Sequence, residues 1–219
     1  MEWKVLVMSN KDISEIGASY VNPLLKREKD MFTCKSPFFS LSQIAERFAA
    51  HLNLFARLYS YLFYKKMLCR EVALAGLEPG SSVLHIGGGA YPYTAVFLAR
   101  KGYRVNACDC NIMAINIAKG IVQRSGYADK ITITHENGCF VDCSGYDAIW
   151  VSLNICPKKR IIEHSWVSLK KGGILVYRKL PGWFRYFGIN DINITEFENG
   201  FIEKSKSGIG AESLVIIKG

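Results

Sequence analysis

From residue 81 onward, short apolar runs alternate with longer segments whose apolar residues recur at helical spacing. A short apolar run indicates a strand buried in a sheet, whereas apolar positions three and four residues apart indicate a helix. Strands and helices in alternation are typical of a mainly parallel sheet with helices on both faces. The pattern therefore predicts an α/β fold. The predicted strands are 82–86, 103–107, 130–134, 146–152, 173–178 and 212–218, and the predicted helices are 92–101, 111–125 and 157–169.

A long segment before the first strand, 40–77, is rich in leucine, alanine and aromatic residues at helical spacing. Ser40 is a suitable N-cap, and Glu-Pro-Gly at 78–80 ends the pattern. The length of the segment predicts two helices with a bend within 52–60. We therefore expect a short helical extension over residues 1–78 and a domain built on the sheet over residues 79–219.

The composition fits one globular domain of ordinary size, with 219 residues, 49% of them hydrophobic and 21% charged. The net charge of +9 favours acidic partners, but the basic residues are scattered in short groups. A solvated surface is therefore favoured over a nucleic-acid site. The longest apolar stretch, 48–64, contains His51, Asn53 and Arg57 and is too short and too polar to cross a membrane.

Seven cysteines are present, and no apolar leader segment precedes them. An odd number of cysteines without a leader indicates a reducing, cytoplasmic compartment. Cys108 and Cys110, and Cys139 and Cys143, lack the spacing of a zinc knuckle, so we expect no metal site.

Three glycines follow the first predicted strand and precede a helix that begins near Pro92 or Thr94. Gly87, Gly88 and Gly89 allow a sharp turn and a close approach of the backbone to a ligand. The amides at the start of the helix add hydrogen-bond donors and the positive end of a dipole. A tight turn also needs glycine for steric reasons, so a purely structural interpretation stands beside that of a nucleotide-binding turn.

An acidic residue ends the second predicted strand. Asp109 stands about 20 residues beyond Gly89, where a carboxylate can accept both hydroxyl groups of a ribose. Together, the glycine turn and this acid indicate a cofactor that contains adenosine.

The run from Gly87 to Thr94, GGGAYPYT, resembles the cofactor turn of the nicotianamine synthases, a family with the Rossmann-like class I methyltransferase fold. The run 51–55, HLNLF, and the group Asp109-Cys110-Asn111 are similar to further stretches of that family. The similarity extends over about residues 51–190. Two departures stand out: His85 replaces the acid usual in methyltransferases, and Leu68 stands where the synthases carry a glutamate.

The resemblance implies S-adenosylmethionine as cofactor and transfer of its aminocarboxypropyl group to a small amine or amino acid. The alternatives are a methyltransferase acting on a small molecule and a cofactor-binding module without catalysis. Neither a membrane nor a nucleic acid is expected as partner, and a homodimer is compatible with the sequence.

Catalysis is expected from Glu71 and Tyr93. Glu71, one helical turn beyond Leu68, is predicted to be the base, and its alternative is a solvated helix acid. Tyr93 or its neighbour Tyr91 is expected to line the substrate pocket while the other packs into the core. Arg178 is expected to bind a substrate carboxylate, with an ion pair to Glu163 or Asp147 as alternative.

The remaining expected contacts follow from the ends of the strands and from the family resemblance. Asn154 is predicted, with Tyr91 and Arg178, to contact the substrate. The aromatic run 181–187 is predicted to form a flap over the substrate or, alternatively, to pack onto the sheet as a hydrophobic staple. The residues expected to contact the cofactor are His85, Gly87, Gly88, Gly89, Ala90, Thr94, Asp109, Cys110, Asn111, Asn137, Gly138, Ser152 and Leu153.

Overall fold

The computed structural model describes residues 54–179, 200–206 and 212–219. Within these ranges the chain forms four helices and seven strands. The helices are α1 (Leu54–Ala75), α2 (Tyr93–Arg100), α3 (Ile112–Ser125) and α4 (Lys158–Ser168). The strands are β1 (Ser82–Ile86), β2 (Arg104–Asp109), β3 (Ile131–His135), β4 (Ala148–Val151), β5 (Ile174–Lys179), β6 (Gly200–Lys206) and β7 (Glu212–Lys218).

All strands of the described ranges join one sheet in the order β3-β2-β1-β4-β5-β7-β6. The first five run parallel, whereas β7 pairs antiparallel with both β5 and β6. The carboxyl ends of β1 to β5 consequently meet at one edge of the sheet. The direction of strand succession reverses between β1 and β4, which is where open sheets of this kind bind ligands.

Alternating side chains of the strands build two apolar layers. On one face, residues such as Val83, Val105 and Val176 pack with apolar residues of α1, α2 and α3. On the other face, residues such as Leu84 and Leu175 pack with α4 and with the segment that follows β3. Helices therefore cover both faces of a mainly parallel sheet, as the sequence pattern predicts.

Two elements differ from the prediction. Strand β6 was not predicted: its seven residues, GFIEKSK, mix polar and apolar positions and, among the described strands, pair with β7 alone. Helix α1 runs unbroken from Leu54 to Ala75, so the described part of the segment has no bend. The division at residue 78 remains a prediction, because residues 1–53 lie outside the described ranges.

Candidate functional site

A glycine turn joins β1 to α2 at the carboxyl edge of the sheet. The amides of Gly87 and Gly88 both donate to the carbonyl oxygen of Cys108, over 2.9 and 3.0 Å. Gly87 and Gly89 have φ angles of +82° and +63°, which glycine adopts without steric cost. The turn is therefore fastened to the neighbouring strand β2.

The glycines of the turn are required for different reasons. A Cβ atom on Gly87 would lie 2.5 Å from Cγ2 of Ile155, so packing within the protein excludes a side chain there. A Cβ atom on Gly89 would meet no atom of the described residues within 4 Å. The steric interpretation of the turn thus holds at Gly87, whereas the space beside Gly89 is open.

Asp109 closes the turn from the end of β2. Its Oδ2 accepts from the amide of Gly89 over 2.8 Å, and its Oδ1 accepts from the amide of Asn111 over 2.9 Å. Each carboxylate oxygen has two lone pairs, so, with respect to the described residues, one acceptor position on each remains. The half-buried carboxylate is thus held in a fixed orientation with room for two more donors.

Asn111 is the N-cap of α3. Its Oδ1 accepts from the amides of Met113 and Ala114, over 3.0 and 3.3 Å. The contact stabilises the helix start beside Asp109. The predicted contact of Asn111 with a cofactor stays a prediction.

Exposed apolar side chains surround this edge of the sheet. Tyr91 and Tyr93 are 50% and 58% exposed, and their rings stack with centroids 6.3 Å apart. Ile112, Met113 and Phe140 are also exposed, after β2 and β3. The expectation that one tyrosine packs into the core is wrong, because both side chains face solvent. The flap predicted over 181–187 lies outside the described residues.

Glu71, on α1, is completely buried and accepts four hydrogen bonds. Oε1 accepts from Nε of Arg178 over 2.8 Å and from Oγ of Ser213 over 2.7 Å. Oε2 accepts from Nη2 of Arg178 over 2.9 Å and from Nε1 of Trp150 over 3.1 Å. The alternative of a solvated acid is therefore wrong. The role as base stays a prediction, and the occupation of all four acceptor positions argues against it.

Arg178 lies at the end of β5 and is 5% exposed. Its partner is Glu71, so the two alternative partners named above are wrong. Asp147 instead binds Lys170 over 2.6 Å, and Glu163 lies 3.5 Å from Lys159. Pairing with Glu71 occupies Nε and Nη2 of the guanidinium.

Two hydroxyl groups connect this pair to the helix that follows the glycine turn. Nη1 of Arg178 donates to the hydroxyl of Tyr64 over 2.8 Å, and that hydroxyl lies 2.7 Å from Oγ1 of Thr94. We name Glu71, Arg178, Trp150, Ser213, Tyr64 and Thr94 the buried polar cluster. It fixes α1 against the sheet and against the start of α2.

Sequence reasoning missed Tyr64, Trp150 and Ser213. Helical spacing alone places Glu71 on the same face of α1 as the buried Leu68 and Ala75, and this was the available signal for its burial. The partners themselves lie far away in the sequence, and no local pattern marks them.

His85 lies at the base of the glycine turn and is 2% exposed. Its Nε2 is 2.9 Å from Oγ of Ser152, and that hydroxyl donates to the carbonyl of Gly87 over 2.8 Å. Burial, and to a smaller extent the charge of Arg178, lower the pKa of His85 to about 3. The imidazole is therefore neutral at neutral pH.

The other predicted cofactor contacts lie around the same edge. Asn137 accepts from the amide of Cys139 over 2.9 Å, and a Cβ atom on Gly138 would lie 2.6 Å from Ile86, so both serve the turn after β3. Cys110 is exposed, and its carbonyl oxygen lies 3.0 Å from Nε2 of His135. Ala90 and Leu153 are half-buried, and Asn154 is exposed.

The cysteines near the site are unsuited to nucleophilic chemistry. Burial raises the pKa of Cys108 to about 12 and that of Cys143 to about 11, so both are protonated thiols at neutral pH. Cys156 is disulfide-bonded, which the expectation of a reducing compartment does not account for. In the described part of the chain, no cluster of three or more metal-ligating side chains occurs. No helix there is long and apolar enough to cross a membrane.

No family model and no curated protein matches the sequence. Among solved structures, the chain is similar to MtNAS in complex with MTA and tNA, with 21% identity and a TM-score of 0.64 over 74% of this chain and 62% of that chain. A glutamate-to-glutamine variant of MtNAS in complex with S-adenosylmethionine has 19% identity and a TM-score of 0.64 over 89% and 71%. The chain is also similar to magnesium protoporphyrin IX methyltransferase (ChlM) from Synechocystis PCC 6803 with bound SAM, with 14% identity and a TM-score of 0.61 over 77% and 86%.

The chain has the Rossmann-like class I methyltransferase fold. The chain spans 62% of MtNAS in the complex with MTA and tNA. It spans a larger share of ChlM, 86%. In this fold the glycine turn and Asp109 occupy the carboxyl edge, where the strand order reverses. The buried polar cluster lies beside them under α1.

Proposed function

We propose that the protein binds S-adenosylmethionine at the glycine turn and is a transferase that uses it. The observation that carries this proposal is the carboxylate of Asp109, which two backbone amides hold with one acceptor position open on each oxygen. A pair of open acceptors beside a glycine turn suits the two hydroxyl groups of a ribose. The open space beside Gly89 leaves room for the ligand.

The order of the strands suggests how the ligand lies along the edge of the sheet. With the ribose at Asp109 on β2, one end of the ligand lies toward β3, and the other lies over β1 and β4. We assign the adenine to the β3 side, where Asn137 and the exposed Cys110 lie. The aminocarboxypropyl arm then lies over the glycine turn and Ser152.

When bound, S-adenosylmethionine supplies an electrophilic carbon: transfer of the aminocarboxypropyl group leaves methylthioadenosine, and transfer of the methyl group leaves S-adenosylhomocysteine. We propose aminocarboxypropyl transfer to the amine of a small substrate, on the basis of the resemblance of the turn to that of the nicotianamine synthases. The chain would contribute mainly by alignment of the reactants. We assign the substrate side to the exposed Tyr91 and Tyr93, and to Asn154 after β4.

The state of Glu71 favours a second candidate, methyl transfer. An amine must lose a proton to react, and Glu71 has no acceptor position open to receive it. A methyltransferase whose acceptor needs no such base is compatible with this arrangement. The two candidates share the same binding site and differ in product.

The binding step is tested by calorimetry with S-adenosylmethionine. Asp109→Ala should weaken binding by about 1.5–3 kcal/mol, since it removes hydrogen bonds to a charged group. The matched control is Asp129→Ala, an exposed acid in the turn before β3, at the opposite edge of the sheet. Absence of binding by the wild-type protein, or equal affinity in Asp109→Ala, would contradict the assignment.

The transfer step is tested by product analysis. The protein is incubated with S-adenosylmethionine and a mixture of amines and amino acids, and the nucleoside products are separated by chromatography. Methylthioadenosine supports the first candidate, provided that Asp109→Ala releases less of it. S-adenosylhomocysteine supports the second, and tight binding with neither product indicates a binding module without catalysis.

A further inference from the structure

Two helices begin at the ligand edge of the sheet, and their first turns are fixed in different ways. In α3, the side chain of Asn111 accepts from the amides of Met113 and Ala114. In α2, the N-cap is Pro92, whose side chain carries no hydrogen-bonding atom. The first turn of α2 directly follows the glycine turn, and it cannot be capped by its own N-cap side chain as α3 is.

Tyr64 of α1 holds the first turn of α2 from outside the helix. Thr94, the second residue of α2, is buried, and its Oγ1 lies 2.7 Å from the hydroxyl of Tyr64. That hydroxyl accepts from Nη1 of Arg178 over 2.8 Å, and the guanidinium lies over the tyrosine ring, 5.0 Å from its centroid. Arg178 is in turn held by Glu71. The phenolic oxygen is therefore fixed in place beside the start of α2.

Burial decides the direction of the bond between the two hydroxyl groups. A buried hydroxyl proton without an acceptor is costly. Within the described residues, Thr94 contacts the hydroxyl of Tyr64 and, at 3.5 Å, Nη2 of Arg178, which is itself a donor. Thr94 therefore donates to Tyr64, and the remaining proton stays on the half-buried phenol. Loss of the Tyr64 hydroxyl would leave Thr94 without its acceptor.

Resting on the proposed function, we propose that Tyr64 is a positioning residue of the cofactor site. Its hydroxyl, held by Arg178, fixes Thr94 and with it the start of α2, so that the glycine turn is preorganised for S-adenosylmethionine. Tyr64 acts through Thr94 and needs no contact with the ligand. Because energetic coupling between two sites is reciprocal, binding at the turn then also stabilises the docking of α1.

Tyr64→Phe tests the proposal, since it removes the hydroxyl and keeps the ring beneath Arg178. Its matched control is Tyr103→Phe, which removes a hydroxyl that donates to the carbonyl of Leu77 over 3.1 Å, at the opposite edge of the sheet. Each variant loses a tyrosine hydroxyl, so both should unfold at a similarly lowered temperature. Calorimetry well below that temperature should show binding of S-adenosylmethionine weakened about 5- to 20-fold in Tyr64→Phe and less than about 2-fold in Tyr103→Phe.

Substitutions of Thr94 test the other end of the same bond. Thr94→Val keeps the shape of the side chain without its hydroxyl and should weaken binding about as much as Tyr64→Phe. Thr94→Ser keeps the hydroxyl and should bind within about 2-fold of the wild type. The double variant Tyr64→Phe/Thr94→Val should lose no more affinity than either single variant, because both remove one shared contact.

Hydrogen exchange measures the reciprocal effect. S-adenosylmethionine should slow the exchange of α1 amides in the wild type and in Tyr103→Phe, and much less in Tyr64→Phe. The inference would be overturned by wild-type affinity in Tyr64→Phe, by equal losses in Tyr64→Phe and Tyr103→Phe, or by a loss in Thr94→Ser as large as in Thr94→Val. Exchange in wild-type α1 that the ligand leaves unchanged would overturn it as well. In each of these cases binding at the turn stands, whereas a wild-type protein that does not bind S-adenosylmethionine contradicts the proposed function itself.

Discussion

Two polar regions lie at the same edge of the sheet, and they differ in whether their hydrogen bonds are complete. In the buried polar cluster, Glu71 and Arg178 are nearly inaccessible, and all four acceptor positions of the carboxylate are occupied. At the glycine turn, Asp109 is half-buried, and with respect to the described part of the chain it retains open acceptor positions and a Cβ atom on Gly89 would have no neighbour within 4 Å. Residue type and motif predicted a function for both regions. The hydrogen bonds distinguish them: the ion pair of Glu71 and Arg178 is structural, whereas the carboxylate of Asp109 can accept further hydrogen bonds from a ligand.

The largest expected effect concerns the ion pair. Glu71→Ala leaves the buried guanidinium of Arg178 without its counter-charge and should lower the free energy of unfolding by about 3–5 kcal/mol, measured by denaturant titration. The control is Glu163→Ala, which removes an exposed pair with Lys159 and should cost less than about 0.5 kcal/mol.

Catalysis by Glu71 would give a different result. Glu71→Gln would then lower turnover per folded molecule at least about 100-fold while cofactor affinity stayed close to wild type. If the cluster is structural, turnover in Glu71→Gln should follow the folded fraction instead.

The next expected effect compares two glycines of one turn. Gly87→Ala introduces an unfavourable φ angle and a contact of 2.5 Å with Ile155, and should destabilise the protein by about 2–4 kcal/mol. Gly89→Ala brings only the strain of its φ angle and should cost about 1–2 kcal/mol. Urea unfolding measures both. Equal losses at the two positions would contradict the distinction between a packed glycine and one that faces a ligand.

Acid should destabilise the protein through protonation of His85. This histidine is buried, as the polar cluster is, and lies beneath the glycine turn. The pKa of His85 is lowered from 6.5 to about 3, so its contribution to stability is complete above pH 6.5 and is lost as the pH falls toward 3. In that range the unfolded chain binds a proton that the folded chain does not. We expect about 2 kcal/mol of loss between about pH 6 and pH 4.

The control for the acid effect is His85→Gln, which cannot titrate. Carboxyl groups contribute equally to the acid dependence of both proteins, so the difference between their unfolding curves isolates the histidine. Parallel curves between pH 6 and pH 4 would show that the ring of His85 is accessible to protons in the folded state.

The sheet edge was predictable because its signals are local. A buried apolar strand, a glycine turn and an acid at the end of the next strand stand within one βαβ unit, and each is required by the backbone or by the ligand. The ion pair was not predictable, since Arg178 lies 107 residues and Ser213 142 residues from Glu71. Strand β6 lacks a periodic signal because, among the described strands, it pairs on one side only, so no second neighbour there demands apolar residues.

The smallest expected effect concerns Asn111. It lies beside Asp109 at the ligand edge of the sheet, but its hydrogen bonds are those of a helix N-cap. Asn111→Ala removes the N-cap of α3 and should lower the free energy of unfolding by about 1 kcal/mol. Asn111→Asp keeps the cap and places a negative charge at the helix start, so its stability should equal or slightly exceed that of the wild type. Calorimetry with S-adenosylmethionine then shows whether Asn111 contacts the ligand or serves only as the N-cap. If Asn111→Ala binds S-adenosylmethionine with unchanged affinity, Asn111 serves only as the N-cap. If both Asn111→Ala and Asn111→Asp lose affinity, the side-chain amide of Asn111 contacts the ligand, and the ligand site extends beyond Asp109.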